Sequence, residues 1–406
     1  MSAGGAWHVG GLTGLRALAA FWVLAHHFNA VVGWRPLYAD LAGIRVELTP
    51  LATCGWVGVD IFFVLSGFLL TRQLLAAYGA GPAPEATRRY YLHRVLRVYP
   101  AYLAQIAVLG LVALLAGSPP AWLAWLPLHF AMLQGLSPAG NAAINPVYWS
   151  LTVEFWFYGL LPFAVAWLHR GGRAGELSRA LVLFALAVAV SGAWKAALFF
   201  LGRDGPVELL DFTFRQLPGA IELFGAGLLA ACAIRAIERR GAAAPRLLPD
   251  ALAVAGLGAL VTLLYVLHFN IESYWPGGPL LFAWQPLAAV AAALLVAGVS
   301  LDGPASRAVF ASGPVRYLGE ISYSLYLWHF PVALGMAKLV PPERGEAAYL
   351  AAALVATLAT SALSHRLIER PFLARRHAWE AWVDARARAG RAIGRANRPN
   401  RNNLLD

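Results

Sequence analysis

Residues 12–33 read LTGLRALAAFWVLAHHFNAVVG, twenty-two positions holding one arginine, two histidines and no acidic group. At 1.5 Å of rise per residue such a stretch, as a helix, spans a hydrocarbon core about 30 Å thick. Comparable apolar stretches recur near 52–77, 99–117, 147–169, 178–201, 216–237, 250–270, 279–299, 317–339 and 346–369, separated by short polar breaks. The fold expected is an all-α polytopic membrane bundle of about ten transmembrane helices. Composition agrees, since 59% of the 406 residues are hydrophobic and 13% charged, against roughly 25% charged in soluble domains. A separate soluble domain has no room: residues 1–373 form the membrane domain and 374–406 a basic tail.

The formal charge of +11 sits in the breaks and the tail, so it points to a membrane surface rather than to nucleic acid. Cys54 and Cys232 fall in different apolar segments, which gives neither a disulfide framework nor a metal site. The start, MSAGGAWHVGGLTGLR, has no basic region before a short apolar core, so the first span is expected to be retained.

Loop charges orient the bundle. The break at 78–98 holds Arg88, Arg89, Arg94 and Arg97, a second holds Arg170, Arg173 and Arg179, and a third holds Arg235, Arg239, Arg240 and Arg246. Positive charge marks cytoplasmic loops. The intervening segments 118–146, 202–215, 271–278 and 340–345 carry little or no positive excess and face outward, which puts both termini in the cytoplasm and makes the tail a lipid-skimming segment. Segment 118–146, with Trp122 and Trp125, reads as re-entrant or interfacial, because an eleventh span would reverse every later loop.

Ionisable groups inside spans cost at least ~2.5–3.5 kcal/mol on insertion scales and so mark candidate sites. Arg16 and His27, eleven residues apart, share one face of the first helix about 16 Å apart along its axis, while His26 points about 80° away. Taken alone, Arg16 reads equally as a snorkelling anchor and His27 as a packing hydrogen bond. Their company argues otherwise. Asp60 and Ser66 lie in the second span, Glu154 in the fourth, and Ser322, Ser324 and His329 in the ninth, with Glu369 closing the tenth. One polar channel accounts for them together. Against it, Asp60 and Glu154 read as structural partners of a buried base, and the serines as helix-packing hydroxyls. Arg94 and Arg97, three apart in TRRYYLHRVLRVYP, a stretch that reads as an interfacial helix, share a helix face and suit phosphate or lipid headgroups.

The pair Arg16 and His27 (R-x10-H), GVDIFFVLSGFLL (58–70), HRVLRVYP (93–100), YWSLTVEFWFY (148–158), ISYSLYLWHFPV (321–332) and ERPF (369–372) together resemble the membrane-bound acyltransferase 3 family. The resemblance runs from about residue 11 to 373. It implies ten spans in the bacterial inner membrane and an acyl, above all acetyl, group taken from acetyl-CoA or another acyl-CoA. The acceptor it implies is a hydroxyl of a cell-surface or lipid-linked polysaccharide, or of a macrolide. It makes Arg16 and His27 the essential pair and Arg94 with Arg97 the motif associated with acyl-CoA. Some relatives append an esterase-like domain; here a basic tail follows, so the chemistry is expected in the helical unit.

The reading is therefore an O-acyltransferase with His27, Arg16 and Glu154 as catalytic candidates and Arg94, Arg97, Ser322 and Ser324 as donor-binding candidates. Asp60, Ser66, His329 and Glu369 are further candidates. No permanently bound cofactor, metal or nucleic acid is expected; acyl-CoA, a glycan and lipid are the partners. His27 acts either as general base on a sugar hydroxyl, oriented by Glu154, or as the acyl carrier. A transporter is the reading from another class, and it predicts internal repeats that the charged motifs do not display.

Overall fold

Hydrocarbon offers the backbone no hydrogen-bond partner, so a segment crossing it must satisfy its own amides, and the helix does so residue by residue. The computed structural model describes residues 10–81, 83–117, 121–202, 206–241 and 245–396, and the protein is an all-α membrane bundle. Its long helices are α1 (Gly10–Val31), α2 (Val57–Ala80), α3 (Ala83–Leu115), α4 (Trp149–Arg170), α5 (Gly172–Gly202), α6 (Leu217–Arg239), α7 (Leu248–Phe269), α8 (Pro279–Ser300), α9 (Ser322–Leu339) and α10 (Glu346–Ser364). Eight of them, α2 to α8 and α10, are long and apolar enough to cross a membrane. The other two, α1 with 22 residues and α9 with 18, are diluted by the polar residues that make the site. Exposed Val108, Leu111, Val112, Leu114 and Leu115 on α3, and Leu181, Val182 and Leu186 on α5, face lipid.

Close packing is set by small residues. A Cβ built on Gly67 of α2 would lie 2.2 Å from the Phe224 carbonyl oxygen of α6, and one on Gly227 would lie 2.1 Å from the Val64 carbonyl oxygen. The two backbones touch reciprocally, the form of contact by which membrane helices associate. Phe224 then stacks on Phe63 and Phe157, with ring centroids 4.6 and 4.0 Å away.

Prolines inside spans leave carbonyls that side chains must cover. Pro331 has no amide hydrogen for the Leu327 carbonyl four residues earlier, and that oxygen accepts instead from Gln105 Nε2 (2.6 Å) and Asn145 Nδ2 (3.1 Å). Pro162 likewise frees the Tyr158 carbonyl, which accepts from Tyr90 OH at 3.3 Å. Gln105 and Tyr90 both stand on α3.

The structure sharpens the sequence boundaries. The stretch 87–100 is the first half of α3, a single 33-residue helix, rather than a separate interfacial helix. The described part of 118–146 folds into turns and helices of five residues or fewer, a non-spanning segment pinned by buried side chains. Tyr102 OH donates to His129 Nδ1 (2.8 Å), whose Nε2 donates to the Gly140 carbonyl, and Tyr148 OH donates to Gln105 Oε1. The loop after α1 carries a hairpin unforeseen in the sequence, β1 (Tyr38–Leu41) against β2 (Ile44–Glu47). Ala42 and Gly43 turn it with φ of 51° and 83°, the left-handed pair that a tight two-residue hairpin loop requires.

The tail is structured as well. Helix α11 (Arg376–Ala396) lies against the start of α3, where Asp384 accepts from Arg88 and from Arg89, and His93 pairs with Glu380 at 2.5 Å. The tail as far as Asp384 is thus held by protein as well as by any lipid it meets; residues 397–406 of the expected tail, and 1–9 of the expected domain, lie outside the described residues.

Gly67→Val forces α2 and α6 apart and is expected to cost about 1–3 kcal/mol or more, read as a fall in Tm of the purified protein in detergent. Gly79→Ala, whose Cβ would enter open space, is expected to leave Tm unchanged or raise it. Equal Tm values for both variants would contradict the packing described.

Candidate active site

Ten of the eleven candidate residues divide between two cavities or the walls behind them. Arg16, Ser66, Arg94, Arg97, Glu154 and Ser322 line one cavity of about 1440 Å³. It runs between α1, α2, α3, α4 and α9, and Arg376 and Glu380 of the tail helix reach its wall. Arg94 and Arg97 stand one helical turn apart, as their spacing requires. The Arg94 guanidinium lies 5.6 Å from the centre of the Tyr158 ring, and its buried Nε has no hydrogen-bond partner among the described residues. Arg97 donates to Glu369 Oε2 at 2.8 Å. Arg16 sits within electrostatic reach of Glu154, Arg94 and Arg97. The Ser322 hydroxyl is buried without a hydrogen-bond partner among the described residues.

Glu369 owes its place to a π-helical turn, His365–Glu369, that ends α10 and swings the carboxylate inward. There it is 2% exposed and accepts from Arg97 and from Ser324 Oγ (2.5 Å). Ser324 therefore braces Glu369 behind the cavity wall, whereas Ser322 alone of the two serines lines the cavity. Glu154 accepts from Ser66 Oγ and belongs with Arg16 and the other arginines. It does not orient His27, which meets another group.

That group is His329. Its Nδ1 faces the carbonyl oxygens of Tyr326 (2.7 Å) and Leu325 (3.2 Å), and its Nε2 lies 3.2 Å from His27 Nδ1. Carbonyls only accept, so His329 carries its proton on Nδ1 and turns the Nε2 lone pair toward His27. His27 Nδ1 also faces the Val23 carbonyl at 3.0 Å; both neighbours accept, so it too is the protonated nitrogen. The chain of acceptors leaves His27 Nε2 with the lone pair and no protein partner among the described residues. His27 lines a second cavity, of about 200 Å³, with Asn141, Trp149, Asp211, Arg215 and Gln216. His26 turns away, its Nδ1 3.1 Å from the Ala52 carbonyl.

Between the cavities stands Tyr326, which lines the larger one and has its ring centre 5.7 Å from that of His329. Its hydroxyl donates to the Val147 carbonyl at 2.8 Å and meets Ser150 Oγ at 2.6 Å. Phe62 packs on it at 6.3 Å.

Asp60 joins neither cavity. It is buried on α2, with Oδ2 unpartnered, within electrostatic reach of a buried ion pair between Lys195 of α5 and Glu222 of α6 (2.8 Å). Lys195 and Glu222 were missed in the sequence although each is an ionisable residue inside a span, the signal used elsewhere. Asp211, Arg215, Asn141 and Gln216 gave no such signal, since they lie in connecting segments and only folding brings them beside His27. Among the described residues no group of three His, Cys, Asp or Glu side chains is placed to hold a metal ion.

Comparison with known proteins gives a single family. The model of the acyltransferase 3 family, an acyltransferase domain, matches residues 9–366. The chain is 25% identical over 383 residues to the peptidoglycan O-acetyltransferase OatA of Listeria monocytogenes, covering 90% of this chain and 56% of that protein. It is 26% identical over 383 residues to the putative peptidoglycan O-acetyltransferase YrhL of Bacillus subtilis, covering 90% and 55%. It is 24% identical over 379 residues to the O-acetyltransferase OatA of Staphylococcus aureus, covering 89% and 56%. The chain thus spans little more than half the length of these relatives. No solved structure matches it.

Because His329 and the Val23 carbonyl together fix the His27 tautomer, ¹⁵N spectra of histidine-labelled protein should show His27 protonated on Nδ1 alone. In His329→Phe the Val23 carbonyl remains as the acceptor, so the bias should weaken and a share of Nε2-protonated ring should appear. A His27 protonated on Nε2 in the unaltered protein would overturn the assignment.

Proposed function

The chain belongs to the acyltransferase 3 family, and from that membership we propose that it transfers an acyl group, acetyl first among them, from acyl-CoA to a hydroxyl of a cell-surface or lipid-linked glycan. The observation that carries the reading is the pair of cavities strung along α1. One is large and lined by arginines; the other is small and holds the free nitrogen of a fixed imidazole. Relatives named for peptidoglycan O-acetylation favour a peptidoglycan-type acceptor.

A CoA ester is a polyanion with a long neutral arm ending in a thioester. The large cavity suits both parts: Arg94, Arg97, Arg89 and Arg376 for the phosphates, and the apolar run past Leu65, Phe62 and Tyr326 for the arm. The unpartnered Arg94 Nε and Ser322 hydroxyl are two donors that a bound ester would satisfy. The basic loops, and hence the mouth of this cavity and both ends of the described chain, face the cytoplasm, which in a bacterium sets the protein in the inner membrane.

In the transfer, the acceptor oxygen attacks the thioester carbonyl carbon. The new C–O bond forms, the C–S bond breaks and the thiolate leaves on CoA. His27 Nε2 takes the hydroxyl proton as neutral general base, and that proton is returned to the departing sulfur. His329 and the Val23 carbonyl hold the ring for this role through Nδ1–H. Separation of the two cavities by Tyr326 also favours a second course, in which Nε2 first accepts the acyl group and then gives it to the hydroxyl. Arg16, within electrostatic reach of Arg94 and Arg97 and about 16 Å from His27 along α1, joins those arginines in holding the donor's phosphates rather than acting at the reacting carbonyl.

His27→Ala is expected to abolish O-acylation in cells that retain normal levels of the protein; retained acylation would refute the role. Arg94→Ala with Arg97→Ala should weaken acetyl-CoA binding tenfold or more, about 1.4 kcal/mol at the least, measured on purified protein. Unchanged affinity would make these arginines membrane anchors. Rapid quenching after mixing with acetyl-CoA alone, followed by mass spectrometry, separates the two courses: an acetylated His27 requires the carrier role.

A further inference from the structure

The 200 Å³ cavity beside His27 has a chemistry of its own. Asp211 and Arg215, one turn apart at the end of the short helix Val207–Phe214, pair at 2.7 Å, and the guanidinium lies 5.2 Å over the Trp149 ring. Held on two sides, Arg215 keeps its terminal nitrogens without a protein hydrogen bond among the described residues. Gln216 Nε2 donates to the Phe212 carbonyl at 3.1 Å, which leaves Oε1 open. Asn141 Oδ1, on the short helix Pro138–Ala142, is buried with no hydrogen-bond partner among the described residues.

We propose that this cavity is an acceptor subsite that takes the uncharged, hydroxyl-bearing edge of a glycan sugar residue and presents one hydroxyl to His27; the assignment rests on the O-acyltransferase reading above. Three observations carry it. The volume equals that of about seven waters at ~30 Å³ each, enough for the edge of one sugar ring and too little for a nucleotide. The Asp211–Arg215 pair cancels its own charge, so the site selects neither an anion nor a cation. The groups left open are donors on Arg215 and acceptors on Asn141 and Gln216, set beside the acceptor nitrogen of His27, and a hydroxyl is the side group that donates and accepts at once. The Asp211 and Arg215 side chains are 30% and 39% exposed, so the cavity opens at the end of the bundle away from the arginine-lined one, where a glycan strand can approach.

The site also separates binding of the two substrates. Residues of the small cavity should govern the glycan without touching acyl-CoA, because none of Asn141, Arg215 and Gln216 lines the large cavity.

The test uses the full chain in detergent or vesicles, labelled acetyl-CoA, and peptide-free peptidoglycan glycan strands as acceptor. Asn141→Ala and Arg215→Lys are each expected to raise KM for the glycan tenfold or more, with KM for acetyl-CoA within twofold of the unaltered protein, which also shows that the variants fold. Transfer by the unaltered protein with glycan KM unchanged in both variants overturns the subsite and leaves the O-acyltransferase reading standing. Release of thiol from acetyl-CoA with no label in the strands overturns the glycan assignment of the cavity. An unaltered protein that neither binds nor deacylates acetyl-CoA refutes the functional reading itself, and this inference with it.

Discussion

A polar group facing hydrocarbon has no water to fall back on, and this constraint shapes the bundle more than any single contact. It is sharpest at the Leu327 carbonyl, freed by Pro331 and covered by Gln105 and Asn145. Two distant segments, α3 and the re-entrant stretch, are fixed to α9 by that one oxygen. Tyr90 does the same for the carbonyl that Pro162 frees in α4. α3 supplies a cap at both places, Gln105 and Tyr90, so the helix that offers Arg94 and Arg97 to the large cavity is braced against the broken places in its neighbours. A proline costs the helix a hydrogen bond, and its repair sets the register between helices.

The same constraint keeps the site polar only where cavities or partners receive it. On α1, Arg16 and His27, about 16 Å apart along the axis, line different cavities. The His27 ring is not held by a carboxylate, as in many histidine-dependent sites, but by a second neutral imidazole and a backbone carbonyl. A carboxylate at that position would favour an imidazolium; a neutral partner leaves the ring with a lone pair at Nε2. The carboxylates are used elsewhere, Glu369 to hold Arg97 and Glu154 to stand among the arginines.

Tyr326 is the hinge of the arrangement. Its ring lines the large cavity, and its hydroxyl is tied to Ser150, which lines the same cavity, and to Val147, which lines the small one.

The sequence by itself determined the helical bundle, its apolar segments, the shared face of Arg16 and His27, and the one-turn spacing of Arg94 and Arg97. These follow from hydropathy and a period of 3.6 residues, both local properties. Six short motifs in chain order likewise carried the family. Tertiary structure decided which of the polar residues meet. Glu154 joined Ser66 and Arg16, His329 took the place beside His27, Ser324 turned to Glu369, and Asp60 fell in with Lys195 and Glu222. Asn141, Arg215 and Gln216 reached the His27 cavity from segments with no periodic signal. The reason is physical: helical period fixes the face a residue occupies, whereas the rotation and depth of each helix against its neighbours depend on small-residue contacts and capped carbonyls made between segments far apart in the chain.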